Sequence, residues 1–314
     1  MSETLCRAVV LTANPETRDL APQQIDTARA AFGSFHTIQD DVLADGIAWR
    51  MLFAAGEDIP IGELRNTVQR AFENPSLDIN VVADDLAYTR KRLLVADMES
   101  TIIEQEMLDE LGDLIGKRDV IEDITARAMR GELDFEAALK KRVAMLAGLD
   151  ASVLDHVAQR ITIMPGAREL VATMKANGAW CALVSGGFTF FTERVAKQLG
   201  FDEHQANTLE IVDSKITGRV LEPILGREAK FIALKRIARE HNIDMSLTLA
   251  VGDGANDLAM LGVASLGVAF RAKPKVRESA LLHPGGAVIT HGDLTALLYL
   301  QGYRESEFAV GLNE

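Results

Sequence analysis

Residues 93–101 read Leu-Leu-Val-Ala-Asp-Met-Glu-Ser-Thr, an apolar run that stops abruptly at two carboxylates, Asp97 and Glu99. Residues 247–257 repeat the idea as Leu-Thr-Leu-Ala-Val-Gly-Asp-Gly-Ala-Asn-Asp. A short continuous apolar run bounded by turn-forming residues predicts a strand buried on both faces, as in a parallel sheet. Acids at the end of such a strand lie at the sheet edge, where their charge costs desolvation unless a cation or a reaction uses it. Two such strand ends in one chain predict a magnesium site, with one carboxylate acting as a nucleophile.

Outward from these two strands the pattern alternates. A helix over Pro165–Ala176 leads to a strand at Trp180–Val184 and a helix over Phe188–Leu199, followed by a hairpin-like stretch, Asn207–Val220. A helix over Arg227–His241 then precedes the strand Leu247–Val251. Helix Asn256–Leu261, strand Ser265–Phe270 and a last small βα unit reach Leu300. Alternating strands and helices predict an α/β fold, a doubly wound parallel sheet with its site at the C-terminal strand edge. Residues 102–160 hold no convincing strand and read as helices (Glu104–Ile115, Val120–Arg130, Phe135–Ala147, Ala151–Arg160). That block is far longer than an ordinary crossover, so it reads as an inserted helical cap.

The first 85 residues read as a separate unit. Strands at Cys6–Ala13, Phe35–Leu43, Ile47–Ala54 and Leu77–Val82 alternate with helices at Pro15–Phe32 and Ile61–Phe72, and Ala44-Asp45-Gly46 marks a hairpin turn. The order βαββαβ is the α+β ferredoxin-like arrangement and looks like the ACT-like sensing or dimerising domains. The expected organisation is residues 1–85 for this unit and 86–314 for the second domain, whose core is 86–101 and 161–314 and whose cap is 102–160.

Composition excludes several classes. The 314 residues suffice for two domains. No apolar stretch approaches the roughly 18 residues needed to span a bilayer, and the first residues lack a signal-peptide layout. Cys6 and Cys181 stand far apart, so no disulfide framework is expected and the chain reads as cytoplasmic. Net charge is −13, and residues 1–90 hold 14 acidic against 7 basic residues. This disfavours nucleic acid or an acidic membrane as partner. The six histidines (His36, His156, His204, His241, His283, His291) show no metal-ligand spacing.

Three strand ends carry polar chemistry: Asp97 and Glu99, then Ser185-Gly186-Gly187, then Gly252-Asp253-Gly254-Ala255-Asn256-Asp257. In a parallel sheet these ends converge on one crevice. Ser185 with its glycines, at the start of a helix, supplies a hydroxyl and unhindered N–H groups for a phosphate, and Lys230 would add a positive charge. Singly, each has a plainer reading as a cap, a loop or a solvated lysine. The order and spacing together argue against coincidence.

In that order, Asp-Met-Glu-Ser-Thr, Ser-Gly-Gly-Phe, Lys230 and Gly-Asp-Gly-Ala-Asn-Asp resemble the four motifs of the haloacid dehalogenase superfamily. The resemblance is strongest to its phosphoserine phosphatases, through residues 125–135 (Thr-Ala-Arg-Ala-Met-Arg-Gly-Glu-Leu-Asp-Phe), Lys141-Arg142-Val143 and Ala272-Lys273-Pro274-Lys275. It covers about residues 92–300. It implies Mg²⁺-dependent hydrolysis of O-phospho-L-serine, the last step of L-serine synthesis, with Asp97 attacking phosphorus to form an aspartyl-phosphate. Mg²⁺ would be held by Asp97, the main-chain carbonyl of Glu99, and Asp253, with Asp257 orienting the metal's waters or Lys230. Ser185, Gly186, Lys230 and Asn256 would hold the phosphate. Glu99 replaces the family's Asp, and its implied role is acid to the leaving oxygen, then base for water. By the same resemblance, Glu106 would bind the ammonium and Arg142 the carboxylate, while Phe135, Met129 and Val143 read as cap interior.

Two other readings stay open. One is a related phosphatase or phosphomutase acting on another small phosphate ester. The other is a sensor in which the N-terminal unit binds an amino acid and Glu99 weakens the phosphatase. A homodimer, paired through sheet edges or helices of the ferredoxin-like unit, is expected on fold-level analogy alone.

Overall fold

The structure is a computed structural model and describes residues 4–72, 76–83, 90–129, 132–226 and 228–309. The expected domain boundary at residue 85, residues 84–89 of the expected connector Asp84–Arg92, and the expected helix ends Arg130 and Arg227 lie outside the described residues.

The N-terminal unit runs β1 (Thr4–Thr12), α1 (Pro22–Ala31), β2 (His36–Ala44), β3 (Ala48–Gly56), α2 (Ile61–Arg70) and β4 (Asp78–Ala83). Its four strands pair in the order β2-β3-β1-β4, all antiparallel. Helix α1 is shorter than the expected Pro15–Phe32. Residues 14–18 instead form a turn, in which Asn14 Oδ1 accepts from the Glu16 N–H and Arg18 takes φ +50°. The helix begins at Pro22, whose fixed φ suits a first turn.

The larger sheet has the order β11-β10-β9-β5-β6-β7-β8. Its strands are β5 (Leu93–Ala96), β6 (Trp180–Phe188), β7 (Glu203–Val212), β8 (Lys215–Leu221), β9 (Thr248–Gly252), β10 (Leu266–Phe270) and β11 (Gly286–Ile289). All neighbours are parallel except the β7–β8 hairpin. Residues alternate between faces, as strand geometry requires. Leu93 and Val95 pack under α9 (Ala229–Glu240), α10 (Leu258–Val263) and α11 (Pro274–Ala280). Leu94 and Ala96 pack toward α7 (Ala167–Ala176), α8 (Thr189–Leu199) and α12 (Ala296–Leu300). With both faces covered, β5 has no solvent-accessible side chain, which is why it reads as an unbroken apolar run.

The helical cap contains α3 (Met107–Leu114), α4 (Arg118–Met129), α5 (Phe135–Ala144) and α6 (Ser152–Ala158). Helix α3 starts three residues later than expected, because residues 104 and 105 form a bend in which the Glu104 N–H donates to Thr162 O. The β7–β8 hairpin braces the cap: the N–H groups of Gly148 and Ala151 donate to Ile216 and Ser214 carbonyls.

The N-terminal sheet buries one face on its own helices through Val9, Leu11, Phe53, Ala28 and Val68. Ala8, Val10, Leu52 and Val82, on the other face, join the core of the larger sheet. Polar contacts reinforce this seam. Asn80 exchanges two hydrogen bonds with the Val288 main chain, as a neighbouring strand would. Arg65 donates to the carbonyls of His283 and Gly286.

Candidate active site

Register brings the predicted strand ends together. Ala96, the last residue of β5, lies opposite Leu183 on β6 and Val251 on β9. One residue beyond it stands Asp97, two beyond Leu183 stands Ser185, and two beyond Val251 stands Asp253. The chain reverses direction between β6 and β9, on either side of β5, so the crevice lies at the topological switch point of the sheet.

Asp97 is only 5% exposed. Its N–H donates to Val251 O, and its Oδ1 accepts from the Met98 N–H at 2.7 Å. Lys230, the second residue of α9, is 3% exposed and places Nζ 2.7 Å from Asp97 Oδ2 and 2.6 Å from Asp257 Oδ1. Asp257 is fully buried, and its Oδ2 also accepts from the Gly254 N–H. Oxygens of Asp97, Asp253 and Asp257 all lie within 4.8 Å of one another.

Two of these three carboxylates therefore bond the one buried Lys230 ammonium, and Asp253 lies beside them. Burial pushes the Asp97 carboxyl well above its usual range, and neighbouring Asp257 and Asp253 add to this against the pull of Lys230. Burial and Asp257 push Asp253 up to about 7. Burial alone would lower Lys230, but Asp257 and Asp97 outweigh it and hold the amine protonated. Such an uncompensated acidic cluster, made only of oxygen donors, fits a hard divalent cation.

Glu99 is half-buried, and its Oε1 accepts from the Met107 N–H at 3.0 Å. Burial, then the neighbouring Glu106, push its carboxyl up to about 8. A carboxyl in that range can donate a proton near neutral pH. Ser185 is buried, with Oγ accepting from the Gly187 N–H, while Asn207 donates to Gly186 O and accepts from the Leu225 N–H. Ser185, Gly186, Lys230 and Asn256 line one small recess.

That recess adjoins a larger cavity lined by Asp97, Glu99, Glu106, Arg142, Asp253 and Asn256. Glu106 immediately precedes α3, where its Oε1 accepts from Ser100 Oγ. Arg142 is not on the exposed basic face with Lys140 and Lys141 but faces this cavity. Burial holds the Arg142 guanidinium below its usual pKa, while Glu99, Asp109 and Glu106 act in the opposite direction.

The predicted site residues other than Asp257 thus line the cavity or the recess, and Asp257 is buried behind them against Lys230. One expectation fails: Phe135 is not cap interior but is half-buried against the crevice, its ring 3.3 Å from where a Cβ on Gly186 would sit. As the first residue of α5, it projects beyond the layer that buries Val143. The side chain of Met129 lies outside the described residues. Sequence reading placed Gly187 in the phosphate cradle but missed Thr125 and Asn207. Only Asn207 had a signal, as a polar residue of low β-propensity within a strand.

The family model for haloacid dehalogenase-like hydrolases matches residues 94–262. A phosphoserine phosphatase of Streptomyces coelicolor is 48% identical over 231 residues, covering 74% of this chain and 55% of that protein. The chain thus spans about half the length of that relative. A haloacid dehalogenase family hydrolase from Salmonella enterica serovar Typhi superposes with a TM-score of 0.78 at 30% identity, covering 94% of this chain and 98% of its own. A phospho-aspartyl intermediate analogue of phosphoserine phosphatase superposes at 0.62 with 37% identity, covering 67% and 98%. With its strand-end carboxylates, buried lysine and helical cap matched across more than half its length, this chain belongs to the haloacid dehalogenase-like hydrolase family.

Proposed function

We propose that the chain is a phosphomonoesterase that hydrolyses O-phospho-L-serine to L-serine and phosphate. The carrying observation is the pairing of Asp97 with Lys230 at 2.7 Å on the floor of a cavity whose wall presents Glu106 and Arg142. The relatives named for phosphoserine hydrolysis support the same reading.

Mg²⁺ fits the oxygen donors of Asp97, Asp253 and the Glu99 carbonyl, and when bound it would neutralise phosphate charge. Asp257, hydrogen-bonded to Lys230, would orient that lysine or the ion's waters. Asp97 Oδ attacks phosphorus in line as the bond to the seryl oxygen breaks. Glu99, protonated, gives its hydrogen to that oxygen, and L-serine leaves. The resulting Glu99 carboxylate takes a proton from a water that attacks the aspartyl-phosphate, releasing phosphate and regenerating Asp97. Ser185, the Gly186 N–H, Lys230 and Asn256 hold the phosphoryl oxygens and stabilise charge in both transition states.

Glu106 opposes the substrate's ammonium and Arg142 its carboxylate. A sugar phosphate offers neither group. The cap, over the crevice, excludes water during the first transfer. Any pairing of two chains through the N-terminal unit would use β2 or the helices, because the other sheet face is buried within the chain.

Phosphate release from O-phospho-L-serine and from several sugar phosphates, with and without Mg²⁺, tests the proposal. Strong preference for phosphoserine, abolished by chelation and by Asp97→Asn, is expected. Equal rates on sugar phosphates would overturn the substrate assignment, and full activity of Asp97→Asn would overturn the mechanism.

A further inference from the structure

We infer that Thr125 is the positioning residue that aims Arg142 at the substrate's carboxylate. This rests on the reading above, in which Arg142 meets that carboxylate. Thr125 lies on α4 and Arg142 on α5, and both line the cavity.

Arg142 Nη1 donates to Thr125 Oγ1 at 2.9 Å, and Thr125 Oγ1 in turn donates to Ile121 O at 3.0 Å. A hydroxyl carries one hydrogen. Because Ile121 O takes it, Thr125 presents only lone pairs toward the cavity. It can accept from a cation but cannot donate to a carboxylate, so it acts through Arg142. The guanidinium is held at a second point by its Nε–H bond to Ala138 O at 3.3 Å. Two anchors set the plane of the group and leave Nη2 and the second Nη1 hydrogen for a ligand.

The need for an anchor is electrostatic. Glu99, Glu106 and Asp109 all act on Arg142. Arginine has several rotatable bonds, and without the strut its guanidinium would turn toward these acids. It would then be unavailable for bidentate pairing with the substrate. A chain of two hydrogen bonds across α4 and α5 opposes that swing.

The test compares O-phospho-L-serine with O-phosphoethanolamine, which keeps the phosphate and ammonium but lacks the carboxylate. Thr125→Val preserves shape and removes the acceptor, and Thr125→Ser keeps the acceptor. Thr125→Val should raise KM for phosphoserine roughly tenfold or more, as loss of a hydrogen bond to a charged group implies. Its kcat should stay within about threefold, the pattern of lost ground-state binding. Its kcat/KM for phosphoethanolamine should be unchanged, and Thr125→Ser should restore phosphoserine KM. If Thr125→Val folds poorly, Thr125→Ala should give the same split between substrates. An unchanged phosphoserine KM, or an equal loss on both substrates, overturns the strut. Arg142→Ala run in parallel separates the two ideas: if it too fails to discriminate the substrates, the assignment of Arg142 falls first and the strut with it.

Discussion

The carboxylate of Glu99 lies against the backbone of Gly187, so closely that a Cβ on that glycine would sit 2.8 Å from Oε2 and 2.9 Å from Oε1. Gly187 has no positive φ, so it is glycine for proximity and not for backbone conformation. The atoms in its way are the far end of a side chain. Gly187→Ala should therefore fold normally while displacing Glu99. A misplacement near 1 Å can cost about a hundredfold in rate, and kcat should fall on that order while Tm shifts little. A wild-type kcat in Gly187→Ala would dissociate Glu99 from proton transfer.

Among the described residues, Lys230 is the cation that bonds both Asp97 and Asp257. Removing one partner of a buried ion pair strands the other charge, at a cost of about 3–5 kcal/mol. Lys230→Met should melt well below wild type. Adding Asp257→Asn should recover part of the Tm without recovering hydrolysis, since the phosphate's cation is still absent. Additive losses in the double variant, measured by thermal melts, would contradict a shared buried charge.

Asp253 has its carboxyl raised to about 7 by burial and Asp257. A carboxyl whose pKa is raised in the folded state binds more protons folded than unfolded. Its contribution to stability is therefore greatest below the ordinary Asp range and is lost as pH rises toward 7. In metal-free buffer at pH 8, Asp253→Asn should melt above wild type, and the two should converge near pH 4. Mg²⁺ should raise the wild-type melting point, by about 2.7 kcal/mol of stability at a hundred times its Kd, and should not raise that of Asp253→Asn. Identical Mg²⁺ responses in melts of the two proteins would remove Asp253 from the ion's ligands.

Asp78, at the start of β4, accepts N–H bonds from Thr290, His291 and Gly292 just beyond β11. Asp78→Ala would leave buried N–H groups unsatisfied, each costing roughly 1–3 kcal/mol. Hydrogen exchange should accelerate first at residues 290–292 and along the seam between the two sheets. Unchanged protection there would mean that apolar packing alone holds the N-terminal unit in place.

The order of elements and the chemistry of the strand ends were legible in the chain because both are local. An apolar run of four residues at Leu93–Ala96 can be buried on both faces only in a covered parallel sheet, and the acids that follow must then lie at its edge. Arg142 lies far from Glu99 and Glu106 in sequence, and only the motif resemblance, not spacing, pointed to a common site. Phe135 was misread because helix periodicity places it with the cap's apolar residues, while its position at the first turn of α5 turns it toward the crevice. The Thr125 strut, the Gly187 contact and the Asp78 seam had no sequence signal. Each joins residues on different elements through one or two atoms. Such contacts depend on how helices and sheets dock, and docking is set by the summed packing of the whole core, not by any local stretch.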